Sequence, residues 1–217
     1  MYHYIEDKTF LHEMKRECSD IVNQLVQRIN NDDFLTVKSY LIGSGAKNLI
    51  TQNAHADIDL DYNLCIIKFK KNLHPTEREI KEYVRKEFNI VLNKNGWGDC
   101  SDSKSALTTE RRYFPGLKNN TNFSIDLGII KLDQNGCHRL IHKKRGNIIL
   151  DCWYWNLSPN SRSLDKKADT LKKNGLWMEV RETYLAKKNM YLKRQDFDHP
   201  SFIVYIETIN EIYNKYF

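Results

Sequence analysis

No stretch of the sequence approaches the roughly 18 consecutive apolar residues that a membrane-crossing helix needs, and the mean hydropathy is negative. The opening residues, MYHYIEDKTF, lack a basic segment followed by an apolar run, so no secretory leader is expected there. Cysteine is scarce and poorly placed for bridging. The five residues, Cys18, Cys65, Cys100, Cys137 and Cys152, are odd in number and widely spaced, and none forms CxxC. That pattern excludes a disulfide framework and points to free thiols in a reducing compartment. Cys137, His138 and His142 lie close together, yet no second ligand pair stands at a zinc spacing. Internal repeats and low-complexity linkers are also missing. These absences lead us to expect a cytoplasmic protein with no membrane partner.

What is present suits a folded domain. The chain has 217 residues, of which 41% are hydrophobic, 29% charged and 12% aromatic. This is enough apolar material for a real core and too much aromatic content for disorder. The formal charge of +6 is unevenly spread. Between Arg162 and Arg194 there are ten Lys/Arg against four Asp/Glu. A second basic knot joins His138 and Arg139 to His142, Lys143, Lys144 and Arg145. Basic clusters of this kind either attract phosphates or form solvated helix faces.

Apolar residues recur every three or four positions from Phe10 to Ile29, predicting an amphipathic helix of about five turns. Val37 to Ile42 reads as a strand running into Gly43-Ser44-Gly45, and a second strand covers about Ile58 to Phe69. Pro75 opens a helix at an N1-like position, with Glu77 and Glu79 in its first turn. Short strands are predicted at Ser105–Thr109, Phe123–Leu132 and Ile148–Trp155, separated by turn signals. After Pro159 the pattern becomes helical, with a break at Asn174-Gly175 and a last helix from Pro200. The layout predicts an α+β fold, a mixed β-sheet core flanked by helices. Residues 1–160 would form the catalytic core and 161–217 a C-terminal helical segment packing on it.

The chemistry concentrates in Ile42-Gly43-Ser44-Gly45 and Ala56-Asp57-Ile58-Asp59-Leu60-Asp61. In a strand alternate side chains face the same way, so Asp57 and Asp59 would project side by side. Adjacent carboxylates repel unless a cation sits between them, and a hard divalent ion such as Mg²⁺ or Mn²⁺ suits oxygen ligands. Glycine at the preceding turn lets a phosphate approach the backbone closely. A shifted pair, Asp59/Asp61, has a longer spacing from the turn and ranks second to Asp57/Asp59.

The ordered pattern of an apolar residue, Gly43-Ser44, twelve residues and Asp57-Ile58-Asp59-Leu60 resembles the signature of the polymerase-β-like nucleotidyltransferases. The resemblance implies a third carboxylate on a neighbouring strand. Asp126, alone in the apolar Phe123–Ile130 stretch, is the candidate, with Asp57, Asp59 and Asp126 as metal ligands and catalytic residues. It also implies a nucleoside triphosphate as substrate, with Gly43 and Ser44 holding its phosphates. A further likeness, to the oligoadenylate synthetase and bacterial cyclic-oligonucleotide synthase branch, rests on Trp155-Asn156-Leu157-Ser158-Pro159, Arg181 with Lys187 and Lys188, and His199-Pro200-Ser201-Phe202. It implies that Lys187 or Lys188, together with Ser201, contacts the triphosphate or ribose. The acceptor expected is a second nucleotide or an RNA end. The rival reading is a catalytically idle module of the same fold that binds RNA or nucleotide.

Overall fold

A computed structural model describes residues 1–70, 73–117, 119–147, 149–159, 162–196 and 198–217. In chain order the elements are β1 (Tyr2–Tyr4), α1 (Lys8–Asn31), β2 (Leu35–Leu41), α2 (Gly43–Lys47), β3 (Thr51–Asn53), β4 (Ile58–Phe69), α3 (Glu77–Lys94), β5 (Ser101–Asp102), β6 (Leu107–Thr108), β7 (Phe123–Asp133), β8 (Gly136–Lys143), β9 (Cys152–Leu157), α4 (Arg162–Lys173), α5 (Trp177–Lys193) and α6 (Ser201–Tyr216). The fold is α+β, as expected. The chain divides into two compact units: Asp7–Asn48 with Asp57–Pro159, and Met1–Glu6 with Leu49–Ala56 and Asn160–Phe217. No described helix is long and apolar enough to cross a membrane.

The larger unit is built on a mixed sheet of order β2-β4-β7-β6-β5, extended from β7 by β8 and β9. Its centre is β4, antiparallel to β2 and parallel to β7. The strand alternates strictly: Ile58, Leu60, Tyr62 and Leu64 are buried, while Asp59, Asp61 and Asn63 take the opposite face. On the apolar side α1 packs a stripe that includes Phe10, Met14, Val22 and Leu25, and its Ser19 hydroxyl pairs with the Tyr62 hydroxyl at 2.9 Å. Phe10 meets Phe114 and Phe123 edge-on. Burying side chains of this size contributes roughly 1.5–3 kcal/mol each, so the face that remains for polar chemistry is the one carrying Asp59 and Asp61.

Several local expectations shift, for identifiable reasons. Pro75 lies just outside α3, and Thr76 is the cap: its hydroxyl accepts from the Glu79 amide at 3.3 Å while the Glu79 carboxylate accepts from the Thr76 amide at 2.7 Å. This reciprocal capping box fixes the helix start more firmly than proline at N1 would. The strand predicted from Ile148 begins instead at Cys152, and Ile148 itself lies outside the described residues. Asn147 accounts for the delay. Its carbonyl accepts from the amides of Leu150 and Asp151 and its side chain from the amide of Ile149, which curls 149–151 into a turn. The strand expected at Ser105–Thr109 is reduced to β6, whose Leu107 and Thr108 pair with Leu127 and Asp126.

In the smaller unit β1 pairs antiparallel with β3, and α4, α5 and α6 share a core that includes Leu49, Leu171, Val180, Tyr184 and Ile209. The break expected at Asn174-Gly175 separates α4 from α5. Gly175 takes φ +74°, and the Leu176 amide returns to the Leu171 carbonyl at 2.9 Å.

Candidate active site

The parallel register of β4 and β7 sets Asp59 beside Ser124 and Asp61 beside Asp126. Laterally paired residues point to the same side of a sheet, so Asp59, Asp61, Ser124 and Asp126 share the polar face. The Ser124 hydroxyl donates to Asp59 at 2.5 Å. The Thr108 hydroxyl, arriving from β6, donates to Asp126 at 2.5 Å. Asp57 stands just before β4 and is held differently. It receives Arg111 Nε at 2.8 Å and Asn122 Nδ2 at 3.1 Å, and the Arg111 side chain is largely exposed.

Gly43 closes the cluster at the end of β2. The Ile42 amide donates to the Asp61 carbonyl at 2.8 Å, Gly43 adopts φ +61°, and a Cβ there would lie 2.6 Å from Asp61 Oδ2. Glycine is therefore required twice over, for the left-handed backbone and for the approach of a carboxylate. Ser44 follows within the short helix α2. The Gly43-Ser44 bend and the acid doublet belong to one unit and adjoin through Asp61.

The acids perturb one another. Burial pushes the Asp61 carboxyl up to about 6; the neighbouring Asp126 and Asp59 push the same way and Arg139 opposes them. Burial also raises Asp126, offset by the Thr108 hydrogen bond, with Asp59 adding to the rise and Arg139 again opposing. In the unfolded chain Asp61 would ionise near its ordinary 3.8. Between those two values the folded protein holds the extra proton, so stability falls as pH rises through the window and the cost is fully present above it. Asp61→Asn is therefore expected to stabilise the protein at pH 7.5 by on the order of 2 kcal/mol and to make no difference at pH 3.5. Urea denaturation of both proteins at the two pH values checks this. Equal stability at pH 7.5 would mean that ionising Asp61 in its buried place costs the fold nothing.

From the sequence Arg139 was legible only as part of a basic knot. It reaches over β7 from β8, donating to Asn63 Oδ1 at 2.8 Å. It lies where a side chain on Gly128 would stand: Nη1 is 2.1 Å from the position of a Cβ. Thr108, Ser124 and Arg111 were likewise missed, because single hydroxyls and an exposed arginine carry no signal before strand pairing is known. Asp61 was ranked second. The three-step Asp-x-Asp-x-Asp alternation was its signal, and the structure brings it to Asp126 and Asp59.

Among the described residues no group of three His, Cys, Asp or Glu side chains is already arranged to hold a metal ion. The donor chemistry nevertheless fits a hard divalent cation. The charged groups of the cluster are carboxylates, hard oxygen donors, and burial together with like charge makes Asp61 and Asp126 resist ionisation.

In the smaller unit the two candidate lysines separate cleanly. Lys187 pairs with Glu211 at 2.8 Å and lies 3.9 Å from Glu207. Lys188 donates to Thr51 Oγ1 at 2.9 Å and to Ser201 Oγ at 3.1 Å, with Ser201 opening α6 behind Pro200. Burial alone lowers Lys188 to about 8. A half-buried ammonium facing hydroxyls rather than a carboxylate has capacity left for an anion.

The sequence matches no protein-family model and no curated protein. Its structure does have counterparts. CdnC of E. coli MS115-1, solved with ATP, superposes with a TM-score of 0.60 over 95% of this chain and 61% of that one, at 12% identity. At that identity the likeness is one of fold. The CdnE cyclic dinucleotide synthase of Elizabethkingia meningoseptica, solved with GTP and Apcpp, gives 0.53 over 92% of this chain and 70% of that one, at 12% identity. The di-nucleotide cyclase DncV of Vibrio cholerae, as a mutant with ATP and GTP, gives 0.52 over 81% and 48%, again at 12% identity. The chain thus spans less than two thirds of the CdnC and DncV chains.

Proposed function

We propose that the protein is a metal-dependent nucleotidyltransferase that moves a nucleotide from a nucleoside triphosphate to a hydroxyl, releasing pyrophosphate. The acceptor would be a second nucleotide or an RNA end, and the free thiols of the chain suit a cytoplasmic setting. One observation carries the reading: Asp59 and Asp126, from parallel-paired strands, share one sheet face beside the Gly43-Ser44 bend. The solved structures of the same fold that bind ATP or GTP support it.

In this reading Asp57, Asp59 and Asp126 are the ligands of Mg²⁺ or Mn²⁺. When bound, the ion neutralises triphosphate charge and acidifies the attacking hydroxyl. Asp57 must leave Arg111 to serve, and an exposed ion pair costs only about 0–1 kcal/mol to open. Ser124 and Thr108 fix the rotamers of Asp59 and Asp126, so little side-chain freedom remains to be lost when the acids close on a cation. Asp126 is also placed to take the proton of the acceptor hydroxyl. Gly43 and Ser44 would hold the β- and γ-phosphates, and Lys188 with Ser201 would contact phosphate or ribose. Lys187, committed to Glu211, would not. Phosphoryl transfer depends chiefly on positioning and charge stabilisation, so no covalent nucleophile is required.

Titration calorimetry with a non-hydrolysable ATP or GTP analogue tests the proposal. Binding at least about tenfold tighter with Mg²⁺ than without it, a difference of roughly 1.4 kcal/mol, is expected. Metal-independent, strongly salt-dependent binding of RNA without triphosphate affinity would instead describe an idle binding module.

A further inference from the structure

The Lys188 ammonium is held by more than its two hydroxyl partners. The next residue along α5, Asn189, grips the main chain of β1: its Oδ1 accepts from the Tyr2 amide at 2.7 Å and its Nδ2 donates to the Tyr2 carbonyl at 3.0 Å. This pair of hydrogen bonds fixes the Tyr2 main chain from which the ring projects, and Lys188 Nζ lies 3.9 Å from the centre of that ring. A second ring, that of the buried Tyr184 one turn earlier on α5, lies 5.7 Å from the same nitrogen. On the remaining side are the hydroxyls of Thr51, which belongs to the strand paired with β1, and Ser201.

Among the described residues no carboxylate forms an ion pair with Lys188, whereas Lys187 beside it has two acidic neighbours. The charge is offset by π faces and lone pairs, each weaker than an anion. A cation–π contact is worth more when it is desolvated than when it is exposed. Lysine is also rich in rotamers, and immobilising such a side chain on binding costs entropy. A ring that holds the ammonium in place before a ligand arrives removes part of that cost.

We propose that Tyr2 is a positioning residue for phosphate binding, its ring holding the Lys188 ammonium against Thr51 and Ser201 so that it meets the triphosphate already aimed. The proposal rests on the reading of Lys188 as a phosphate contact and adds the residue that presents it. Tyr2 acts through Lys188 and touches no reacting atom. The ring's face matters, while its hydroxyl and its bulk do not.

The experiment measures Kd by calorimetry for inorganic tripolyphosphate and for a non-hydrolysable ATP analogue, both with Mg²⁺. The proteins are wild type, Tyr2→Phe, Tyr2→Leu, Lys188→Ala and the double variant Tyr2→Leu/Lys188→Ala. The expected result is a three- to tenfold weakening by Tyr2→Leu for both ligands, wild-type affinity for Tyr2→Phe, and no loss from Tyr2→Leu once Lys188 is already alanine. Matching melting curves for Tyr2→Phe and Tyr2→Leu keep the comparison free of folding effects. If Lys188→Ala weakens binding but Tyr2→Leu does not, the role of Tyr2 is overturned and the phosphate reading stands. If Lys188→Ala has no effect, the phosphate reading of Lys188 itself falls. Loss for the ATP analogue alone would place the ring against the base and overturn the proposal as well.

Discussion

Asp126→Asn is expected to lower the rate of nucleotidyl transfer by about a hundred- to a thousandfold, the scale of losing a main electrostatic group in an active site, without unfolding the protein. The amide keeps the shape of the carboxylate and an oxygen that can accept from the Thr108 hydroxyl. What disappears is one negative charge from a face where burial and like charges already raise Asp61 and Asp126. Folding should therefore be unharmed, and the melting temperature should stay level or rise. The same reasoning applies to Asp59→Asn, where Ser124 keeps its partner. Loss of activity together with a stable fold separates a functional acid from a structural one. A variant that lost both would show only that the site is part of the core. Initial rates of pyrophosphate release and thermal melts on the same samples decide the matter.

Lys188→Ala is expected to weaken triphosphate binding about 10- to 100-fold, the range of a charge-assisted hydrogen bond of about 1.5–3 kcal/mol, while Lys187→Ala changes it by less than about threefold. These two differ because Lys187 is neutralised by Glu211, whereas Lys188 is turned toward Thr51 and Ser201. A pH dependence follows. Burial lowers Lys188 to about 8 from its usual 10.5, so the free protein loses that proton as pH rises through 8. Phosphate binding needs the ammonium, so affinity should fall as pH passes from 7 to 9. In Lys188→Ala this part of the decline should be missing. Without ligand the sign for folding is opposite to that for binding: the buried charge costs stability below about pH 8, and the cost is relieved as pH rises toward 10.5. Titrations at pH 7, 8 and 9 with wild type and both alanine variants test the pair.

The α+β class and the long elements were legible because their periodicities are strong. The α1 stripe repeats at helical spacing, and β4 alternates Ile58, Asp59, Leu60, Asp61 without a break. The Gly43-Ser44 segment and the alternating acids at 57, 59 and 61 could be read as patterns for the same reason, since both are local. β1 and β3 were not. Each has three residues, and they form by pairing with each other across nearly fifty positions, which no local pattern encodes. The layout of the site depends on registers of that kind. Asp61 gains its weight from lying opposite Asp126, and Arg139 from reaching over a glycine on another strand. Asp57, the first acid of the doublet, is held by Arg111 and Asn122, an engagement that the alternation of the strand does not reveal. The contrast between Lys187 and Lys188 likewise comes from α6, the next element of the chain, and from β3, which is far from both in sequence.

The central claim is that Asp57, Asp59 and Asp126 gather around a divalent cation beside the Gly43-Ser44 bend. Crystals grown with Mn²⁺ and a non-hydrolysable nucleoside triphosphate, measured near the manganese edge, test it most directly. The account predicts an anomalous peak bonded to the carboxylates of Asp59 and Asp126, with Asp57 turned away from Arg111 to join them and the phosphates against Gly43 and Ser44. A triphosphate bound with no manganese at these acids, or with manganese held elsewhere on the protein, would contradict it.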